Sequence, residues 1–206
     1  MITGVVLCGG NSSRMGTDKG LLQHASRIWS EVAFNKLRSL NFPVVFSINH
    51  LQTTVYKKFF SDSLLIQDDP DLHVGGPLKG ILSVHRKYSQ GDLLVLAVDM
   101  LNISEDLLQQ LHSHPQQQDA EAIVYKHTDQ IEPLCGLYKT KGLQKIMQLY
   151  EEEKLKKQSM HFILKQLQTV YIDVAAEQAD AFANFNSVHD LDNFNVGFNK
   201  KDNQVG

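Results

Sequence analysis

Residues 2–20 read ITGVVLCGGNSSRMGTDKG, and this stretch decides the fold. Residues 2–8 are a continuous apolar run, which is typical of a strand buried on both faces of a parallel sheet. The Gly-Gly-Asn-Ser-Ser segment at residues 9–13 ends that strand, because such residues favour turns over strand pairing. In open α/β sheets, ligands bind where a strand ends in such a loop. The stretch therefore predicts an α/β fold with a ligand site at the carboxyl end of its first strand.

Strands and helices alternate along the rest of the chain. Strands are predicted at Ile2–Cys8, Val44–Ile48, Leu64–Gln67 and Leu93–Val98, and helices at Ile28–Leu40, near Thr53–Phe60, from Pro77 to about Tyr88, and from Ser104 to the polar stretch at 115–119. Ala122–Tyr125 and Leu134–Tyr138 are predicted to form an antiparallel pair, and the mixed charges of Glu151–Lys157 indicate a solvated helix end. We expect a three-layer Rossmann-like fold, with a mostly parallel central sheet, helices on both faces and a small antiparallel element.

Length and composition favour one globular domain. The chain has 206 residues, of which 42% are hydrophobic and 21% charged, so it can bury a sizeable core. We expect a single domain over residues 1–195 and a frayed polar tail over 196–206. No apolar run approaches the roughly 20 residues that cross a bilayer, and no basic signal-peptide start precedes the first strand. The expected location is cytoplasmic, without a membrane role.

Charge and cysteine content exclude several classes of function. The net charge is −3, so no global positive field would hold a nucleic acid, and any phosphate ligand must be bound locally. Cys8 and Cys135 both lie in apolar runs and are far apart in sequence, which predicts reduced core residues rather than a disulfide or a metal pair. Of the nine histidines, only His112 and His114 are close together, in a polar turn, so a zinc site is not expected.

The loop after the first strand has the residues of a phosphate site. Glycines let backbone N–H groups approach phosphate oxygens, and Arg14 and Lys19 supply positive charge, which suits a triphosphate. The alternative is an ordinary tight connection with solvated charges. Other phosphate loops do not fit, because Gly9, Gly10 and Gly16 lack the G-x-G-x-x-G spacing and no Gly-Lys-Ser/Thr follows.

Asp99 is the candidate metal ligand. It follows the apolar strand at 93–98, where a carboxylate can point into the crevice at the end of the sheet. Magnesium in phosphoryl chemistry is usually held by one or two carboxylates and by phosphate oxygens. The alternative is that Asp99 caps the following turn. The metal role is favoured because Asp99 is expected to lie next to the glycine-rich loop that follows the first strand.

Several motifs resemble those of one family. The pattern L-x-G-G-x-S-x-R-M-G-x-D-K at residues 7–19 resembles the signature loop of molybdenum cofactor guanylyltransferases, the MobA family. The segments GGPLKGI at 75–81, LVLAVDM at 94–100 and NFNS at 184–187 resemble further family motifs, so the resemblance extends from about Ile2 to Asp192. The wider group comprises Rossmann-like nucleotidyltransferases that activate sugars, alcohols and cofactors, so the loop indicates a nucleoside triphosphate more firmly than GTP.

The resemblance implies a role for each motif residue. It implies catalytic roles for Arg14, Lys19 and Asp99, with Asp99 also holding Mg²⁺. It implies GTP contacts through Leu7, Cys8, Gly9, Gly10, Lys19, Asp68 and Asp99, with the amides of Cys8, Gly9 and Gly10 cradling the phosphates. It places Gly76, Pro77, Leu78, Asn184 and Asn186 on the substrate side, where the two asparagines contact either the metal or the product, although Asn186 or Ser187 could instead be a helix cap. Asp68 suits the guanosine, because guanine N1–H and N2–H₂ and the ribose hydroxyls are donors.

Three positions depart from the family pattern. Residues 23–27 replace a Gly-Lys-Pro-type turn, Leu101 stands where a proline is usual, and Ser47 stands where an asparagine is expected, with Asn49 nearby. These differences affect the expected recognition of the acceptor and of the nucleotide base, and they leave the expected phosphate chemistry unchanged.

The implied activity is transfer of GMP from GTP to the phosphate of molybdopterin, which forms molybdopterin guanine dinucleotide and releases pyrophosphate. The alternatives are a related transferase that uses CTP or a sugar or alcohol phosphate acceptor, and a non-catalytic nucleotide-binding protein in cofactor delivery. A monomer or weak oligomer that transiently contacts a molybdoenzyme or its chaperone is expected by resemblance.

Overall fold

The structure is a computed structural model. It describes residues 1–9, 18–24, 26–116, 118–187 and 189–190. Within these residues no helix is long and apolar enough to cross a membrane.

The described chain forms an α/β fold. Its strands are β1 (Ile2–Leu7), β2 (Gln23–His24), β3 (Arg27–Ile28), β4 (Val44–Ile48), β5 (Leu65–Gln67), β6 (Asp92–Ala97), β7 (Ala122–His127), β8 (Gln130–Tyr138) and β9 (Thr169–Asp173). Its helices are α1 (Trp29–Arg38), α2 (Thr53–Tyr56), α3 (Gly76–Lys87), α4 (Glu105–Ser113), α5 (Thr140–Glu151) and α6 (Met160–Gln166), with short 3₁₀ helices at Lys19–Leu21, Asp62–Leu64 and Ala176–Phe182.

Seven of these strands form one mixed sheet in the order β5-β4-β1-β6-β8-β7-β9. All neighbours pair in parallel except at β8, which is antiparallel to both β6 and β7. β2 and β3 form a separate antiparallel hairpin. The prediction of a mostly parallel sheet with an antiparallel pair is therefore confirmed.

Helices cover both faces of the sheet. Alternate strand residues such as Val6 and Leu96 face a core that includes Trp29 of α1 and Leu108 of α4. The intervening residues face a second core with α3, α5 and α6, whose buried members include Ile81, Leu143 and Ile163. Because a parallel strand is buried on both faces, its sequence is continuously apolar, and the three-layer prediction rested on that pattern.

The topology places a crevice between β1 and β6. From β1 the chain runs to β4 and β5 on one side, and it then returns to β6 on the other side. Connections therefore leave β1 and β6 in opposite directions, which is the switch point at which open α/β sheets bind ligands. In register, Leu7 lies beside Ala97, so the loop after β1 and the turn after β6 begin side by side.

Other predictions are confirmed or corrected by the described residues. Cys8 and Cys135 are both free and buried, as expected. Ser104 is the N-cap of α4 and accepts a hydrogen bond from the N–H of Leu107. The run Glu151–Lys157 is mostly exposed, as predicted, but α5 ends at Glu151, so the residues after it are loop rather than helix. The tail at 196–206 lies outside the described residues.

Candidate active site

Lys19 and Asp99 meet at the switch point. Lys19 Nζ donates to Asp99 Oδ2 at 2.8 Å, and their side chains are 26% and 20% exposed. The N–H of Val98 donates to the carbonyl of Leu7 at 3.2 Å, which holds the turn bearing Asp99 against the end of β1. Since 80 residues separate Lys19 from Asp99, the parallel pairing of β1 with β6 brings them together.

The segment at 184–187 reaches the same point. Lys19 Nζ also donates to Asn186 Oδ1 at 2.8 Å, and the N–H of Phe185 donates to the carbonyl of Asp99 at 3.2 Å. Phe185 is 3% exposed and anchors the segment in the core, whereas Asn184 and Asn186 on either side of it are exposed. The structure thus brings Asn186 to the predicted site.

The alternative role of this segment as a helix cap also applies, through the backbone of Asn186 and Ser187 and the Ser187 hydroxyl. Ser187 Oγ accepts from the N–H of Asp190, and Asp190 Oδ2 accepts from the N–H groups of Asn186 and Ser187. This reciprocal pattern is a capping box. Because the backbone of Asn186 is held by the cap while its side chain contacts Lys19, both interpretations apply to the same segment.

A cavity of about 180 Å³ opens at the same edge of the sheet. Its lining comes from the ends of β1, β4 and β5 and from the start of α3, and comprises Leu7, Gly9, Ser47, Asn49, Asp68, Gly76, Pro77, Lys79 and Gly80. Five of the predicted site residues therefore share one cavity. Gly76 and Pro77, predicted on the substrate side, lie in the same cavity as the predicted nucleotide residues Leu7, Gly9 and Asp68.

Asp68 presents to the cavity a carboxylate that has no hydrogen-bond partner among the described residues. Its N–H donates to the carbonyl of Ile48 at 2.8 Å, which extends the pairing of β5 with β4 and fixes its position. Burial raises the pKa of the Asp68 carboxyl, and the positive charges of Lys79 and His50 offset only part of that rise. No described residue donates a hydrogen bond to the Asp68 side chain. A half-buried acceptor of this kind suits a ligand that brings donors.

The neighbouring Asp69 has a structural role instead. Its Oδ2 accepts from Arg86 at 2.8 Å, and this hydrogen bond holds the pKa of Asp69 below its ordinary value. Its N–H donates to Ser83 Oγ on α3. Of two consecutive aspartates, Asp69 therefore fastens α3, and Asp68 remains available to the cavity.

The predicted amide cradle needs correction. The N–H groups of Cys8 and Gly9 both donate to the carbonyl of Ser47, at 3.0 and 3.1 Å, because pairing of β1 with β4 continues past Leu7. These amides are already used and do not point to a ligand. Burial raises the pKa of the Cys8 thiol, so the thiol remains protonated in the core. Gly10 and Arg14, also predicted to contact the phosphates, lie outside the described residues.

The expected substrate contact of Leu78 is also not met. Leu78 is 1% exposed and packs with α3, α5 and α6 against the sheet. α3 is amphipathic, and this position belongs to its buried face. Leu78 supports the first turn of α3 from behind, while Gly76 and Pro77 before it line the cavity.

Sequence reasoning missed four residues around this site. Lys79 lines the cavity, where it forms no ion pair with a described residue. The sequence feature that could have indicated Lys79 is a positive charge in the first turn of a helix. Asp18, Gln52 and Tyr56 form a hydrogen-bonded group behind Lys19. The Asp-Lys pair of the loop was a signal for Asp18, but nothing local distinguishes Gln52 or Tyr56.

The oxygen donors at the switch point suit a hard cation. Asp99 offers a carboxylate and Asn186 an amide oxygen, and the described residues contain no group of three metal-binding side chains. Magnesium commonly takes one or two carboxylates and completes its shell with phosphate oxygens and water. The donor set therefore fits a magnesium ion that arrives with a phosphate ligand.

The fold and this edge of the sheet define an α/β protein with a candidate ligand site at the switch point. Residues 4–170 match the family model described as the MobA-like NTP transferase domain. The chain belongs to this family and is a nucleotidyltransferase.

Sequence relatives cover nearly the whole chain. A protein of Halalkalibacterium halodurans named probable molybdenum cofactor guanylyltransferase is 29% identical over 191 residues, which are 91% of this chain and 94% of that protein. The molybdenum cofactor guanylyltransferase of Campylobacter jejuni subsp. doylei is 27% identical over 190 residues, which cover 92% and 93% of the two chains.

Solved structures share the fold. Molybdopterin-guanine dinucleotide biosynthesis protein A from Archaeoglobus fulgidus superposes with a TM-score of 0.75 at 22% identity, covering 96% of this chain and 99% of that one. The 4-diphosphocytidyl-2C-methyl-D-erythritol synthase of Anaerococcus prevotii gives a TM-score of 0.69 at 10% identity, with 97% and 96% covered. The architecture is thus common to proteins whose names differ in nucleotide and acceptor.

Proposed function

We propose that this chain transfers GMP from GTP to the phosphate of molybdopterin, forming molybdopterin guanine dinucleotide and releasing pyrophosphate. The observation that carries the proposal is the contact of Lys19 with Asp99 at 2.8 Å, at the sheet edge that also bears a cavity lined by Asp68, whose carboxylate has no hydrogen-bond partner among the described residues. Support comes also from the relatives of Halalkalibacterium and Campylobacter, which are named for this activity and match over most of their length.

The cavity is proposed to hold the guanosine. Asp68 accepts from guanine N1–H and N2–H₂ or from ribose hydroxyls, because an ionised carboxylate is an acceptor only. Lys79 adds a donor on the same cavity wall, where an acceptor such as guanine O6 or N7 could approach it. Leu7 and Pro77 supply apolar surface, as is usual in nucleotide and cofactor pockets.

The phosphates are proposed to extend from the cavity toward Lys19 and Asp99. Lys19 Nζ stabilises the negative charge of the departing pyrophosphate, and Arg14 and Gly10 of the same loop remain proposed contacts. Asp99 would hold Mg²⁺, which supplies charge neutralisation at the α-phosphate when it is bound. Lys19 releases Asp99 when the nucleotide arrives, since its ammonium then has phosphate oxygens as partners.

The transfer step exchanges one phosphorus–oxygen bond for another. An oxygen of the acceptor phosphate forms a bond to the α-phosphorus, and the bond from the α-phosphorus to the bridging oxygen breaks, so pyrophosphate leaves with the electron pair. The acceptor phosphate is already an anion at neutral pH, so no strong general base is required. Catalysis then consists mainly of positioning and charge stabilisation. Asn184 and Asn186 are proposed to face the acceptor.

The activity can be tested with the pure protein. GTP, magnesium and molybdopterin are incubated with it, and the product is identified by mass, with parallel reactions that contain CTP or a sugar phosphate. The proposal predicts molybdopterin guanine dinucleotide and its loss in Asp99→Asn. A preference for CTP would identify a related transferase. Tight GTP binding without any product would identify a nucleotide-binding protein in cofactor delivery, and handover to a molybdoenzyme or chaperone would then be its function.

A further inference from the structure

Lys19 lies between two residues whose positions are fixed. Asp18 is the N-cap of the short 3₁₀ helix Lys19–Leu21, and its Oδ1 accepts from the N–H of Gly20 at 2.9 Å. Gly20 is buried, and a Cβ at this position would collide with the hydroxyl of Tyr56. The backbone around Lys19 is therefore held from both sides.

Gln52 anchors Asp18 to the sheet. Its Nε2 donates to Asp18 Oδ2 at 2.6 Å and to the carbonyl of Cys8 at 2.9 Å. Its Oε1 accepts from the N–H of Asn49 at 2.8 Å. Gln52 is 7% exposed, and both of its amide hydrogens and its oxygen are used. It thus joins the ends of β1 and β4 to the residue that precedes Lys19.

Tyr56 completes the group. Its side chain is 0% exposed, and its hydroxyl donates to Asp18 Oδ1 at 3.2 Å. The Asp18 carboxylate therefore accepts from three described donors: Gln52, Tyr56 and the N–H of Gly20. A carboxylate saturated in this way is a poor metal ligand. Asp18 therefore points inward and is held, while Lys19 points outward to Asp99.

We propose that Gln52 and Tyr56 are positioning residues that act through Asp18 to fix Lys19 at the nucleotide phosphates. Lysine has a long flexible side chain, so its ammonium is placed accurately only when its backbone is rigid. The group defined by Asp18, Gln52 and Tyr56, which we call the Lys19 anchor, supplies that rigidity. This inference rests on the proposed role of Lys19 in the reaction of GTP.

The test is a double-mutant cycle. Gln52→Met keeps the side-chain length but removes the amide, and Tyr56→Phe removes one hydroxyl. Each is made in the wild-type chain and in Lys19→Ala, and both kcat and the Kd for GTP with magnesium are measured. A misplacement of about 1 Å can cost roughly 100-fold in rate, so Gln52→Met is expected to lower kcat about 10- to 100-fold and Tyr56→Phe a few-fold.

In the Lys19→Ala background the same changes are expected to alter kcat and Kd by less than about 3-fold, because the group they position is absent. Equal losses in the two backgrounds would overturn the proposal and indicate general structural support. A wild-type kcat for Gln52→Met would also overturn it.

Two controls keep the result interpretable. Val55→Ala removes an exposed side chain from the same helix without touching the Lys19 anchor, so it should match wild type. Unfolding temperatures show whether Gln52→Met remains folded, and Tyr56→Phe alone decides the question if it does not. GTP affinity is measured without any acceptor, and Gln52→Met is expected to weaken it in the wild-type background but not in Lys19→Ala, so the cycle can be evaluated even if molybdopterin is not the substrate.

Discussion

Replacement of Lys19 by alanine isolates the contribution of one ammonium group. In the structure this group makes two hydrogen bonds of 2.8 Å, to Asp99 and Asn186, and the side chain is 26% exposed. The change removes the positive charge that is proposed to face the phosphates of the nucleotide. It also leaves Asp99 without its cationic partner.

The expected loss can be bounded from these contacts. Removal of one preorganised donor to a developing charge costs about 2.7–4 kcal/mol, which is about 100- to 1,000-fold in kcat. The effect on folding should be much smaller, because a partly exposed ion pair contributes about 1 kcal/mol or less. For a domain of this size, that corresponds to a shift of about 2–4 °C in Tm.

Pyrophosphate release at saturating GTP, magnesium and molybdopterin measures kcat, and calorimetric titration measures GTP affinity. Lys145→Ala is the matched control. Lys145 lies on α5, away from the site, and forms an ion pair with Glu121 at 3.0 Å. We expect wild-type turnover from this control. A kcat for Lys19→Ala within about 3-fold of wild type would refute the assignment of Lys19 to the phosphates.

The remaining predictions concern charge and packing. Asp68→Asn should weaken GTP binding. The pKa of Asp68 is raised above its ordinary value of 3.8, so the affinity of the wild-type protein for GTP should fall as the pH drops through that raised value. The affinity of Asp68→Asn should show no such fall. Asp92→Ala removes contacts to Lys139 (2.6 Å) and Thr140 (2.8 Å) and should destabilise the fold by about 2–4 kcal/mol in denaturant titrations. Burial raises the pKa of Asp92, but hydrogen bonds from Lys139 and Thr140 outweigh it and lower that pKa. The stabilisation that ionised Asp92 contributes is therefore fully present above pH 3.8 and is lost as the pH falls through the lowered pKa of Asp92. The free energies of unfolding of wild type and Asp92→Asn should converge at that low pH. Gly136→Ala places a Cβ 2.9 Å from the carbonyl oxygen of Ile123 and should cost about 1–3 kcal/mol, seen as a lower Tm; an unchanged Tm would contradict this.

The parallel half of the sheet could be predicted because its physics is local. Strands such as Val44–Ile48 are buried at every position and are therefore apolar at every position except Ser47. The proximity of Lys19 to Asp99 followed from a simple rule, since the carboxyl ends of neighbouring parallel strands share one edge of the sheet. Those two conclusions needed no knowledge of tertiary contacts.

The carboxyl-terminal part of the chain was harder to predict. β9 (Thr169–Asp173) is an edge strand in which only Ile172 is buried, so its pattern is too weak to mark a strand. α6 (Met160–Gln166) has only seven residues, which is less than two full turns. β2 and β3 have two residues each, too few for any periodicity.

Within the site, the errors arose from contacts that are distant in sequence. The N–H groups of Cys8 and Gly9 donate to the carbonyl of Ser47, about 40 residues away, and the sequence of a glycine-rich loop does not reveal that pairing. Gln52 contacts Asp18 and Cys8 across 34 and 44 residues, and a glutamine before a short helix is otherwise unremarkable. Such roles depend on where the strands place their ends.

The fate of labelled phosphates tests the central claim, which is attack on the α-phosphate of GTP with pyrophosphate as the leaving group. The protein is given molybdopterin, magnesium and GTP labelled at either the α- or the γ-phosphorus. The account predicts that the α label enters the dinucleotide product while the γ label leaves in pyrophosphate. A γ label in the acceptor product, or release of inorganic phosphate in place of pyrophosphate, would contradict it.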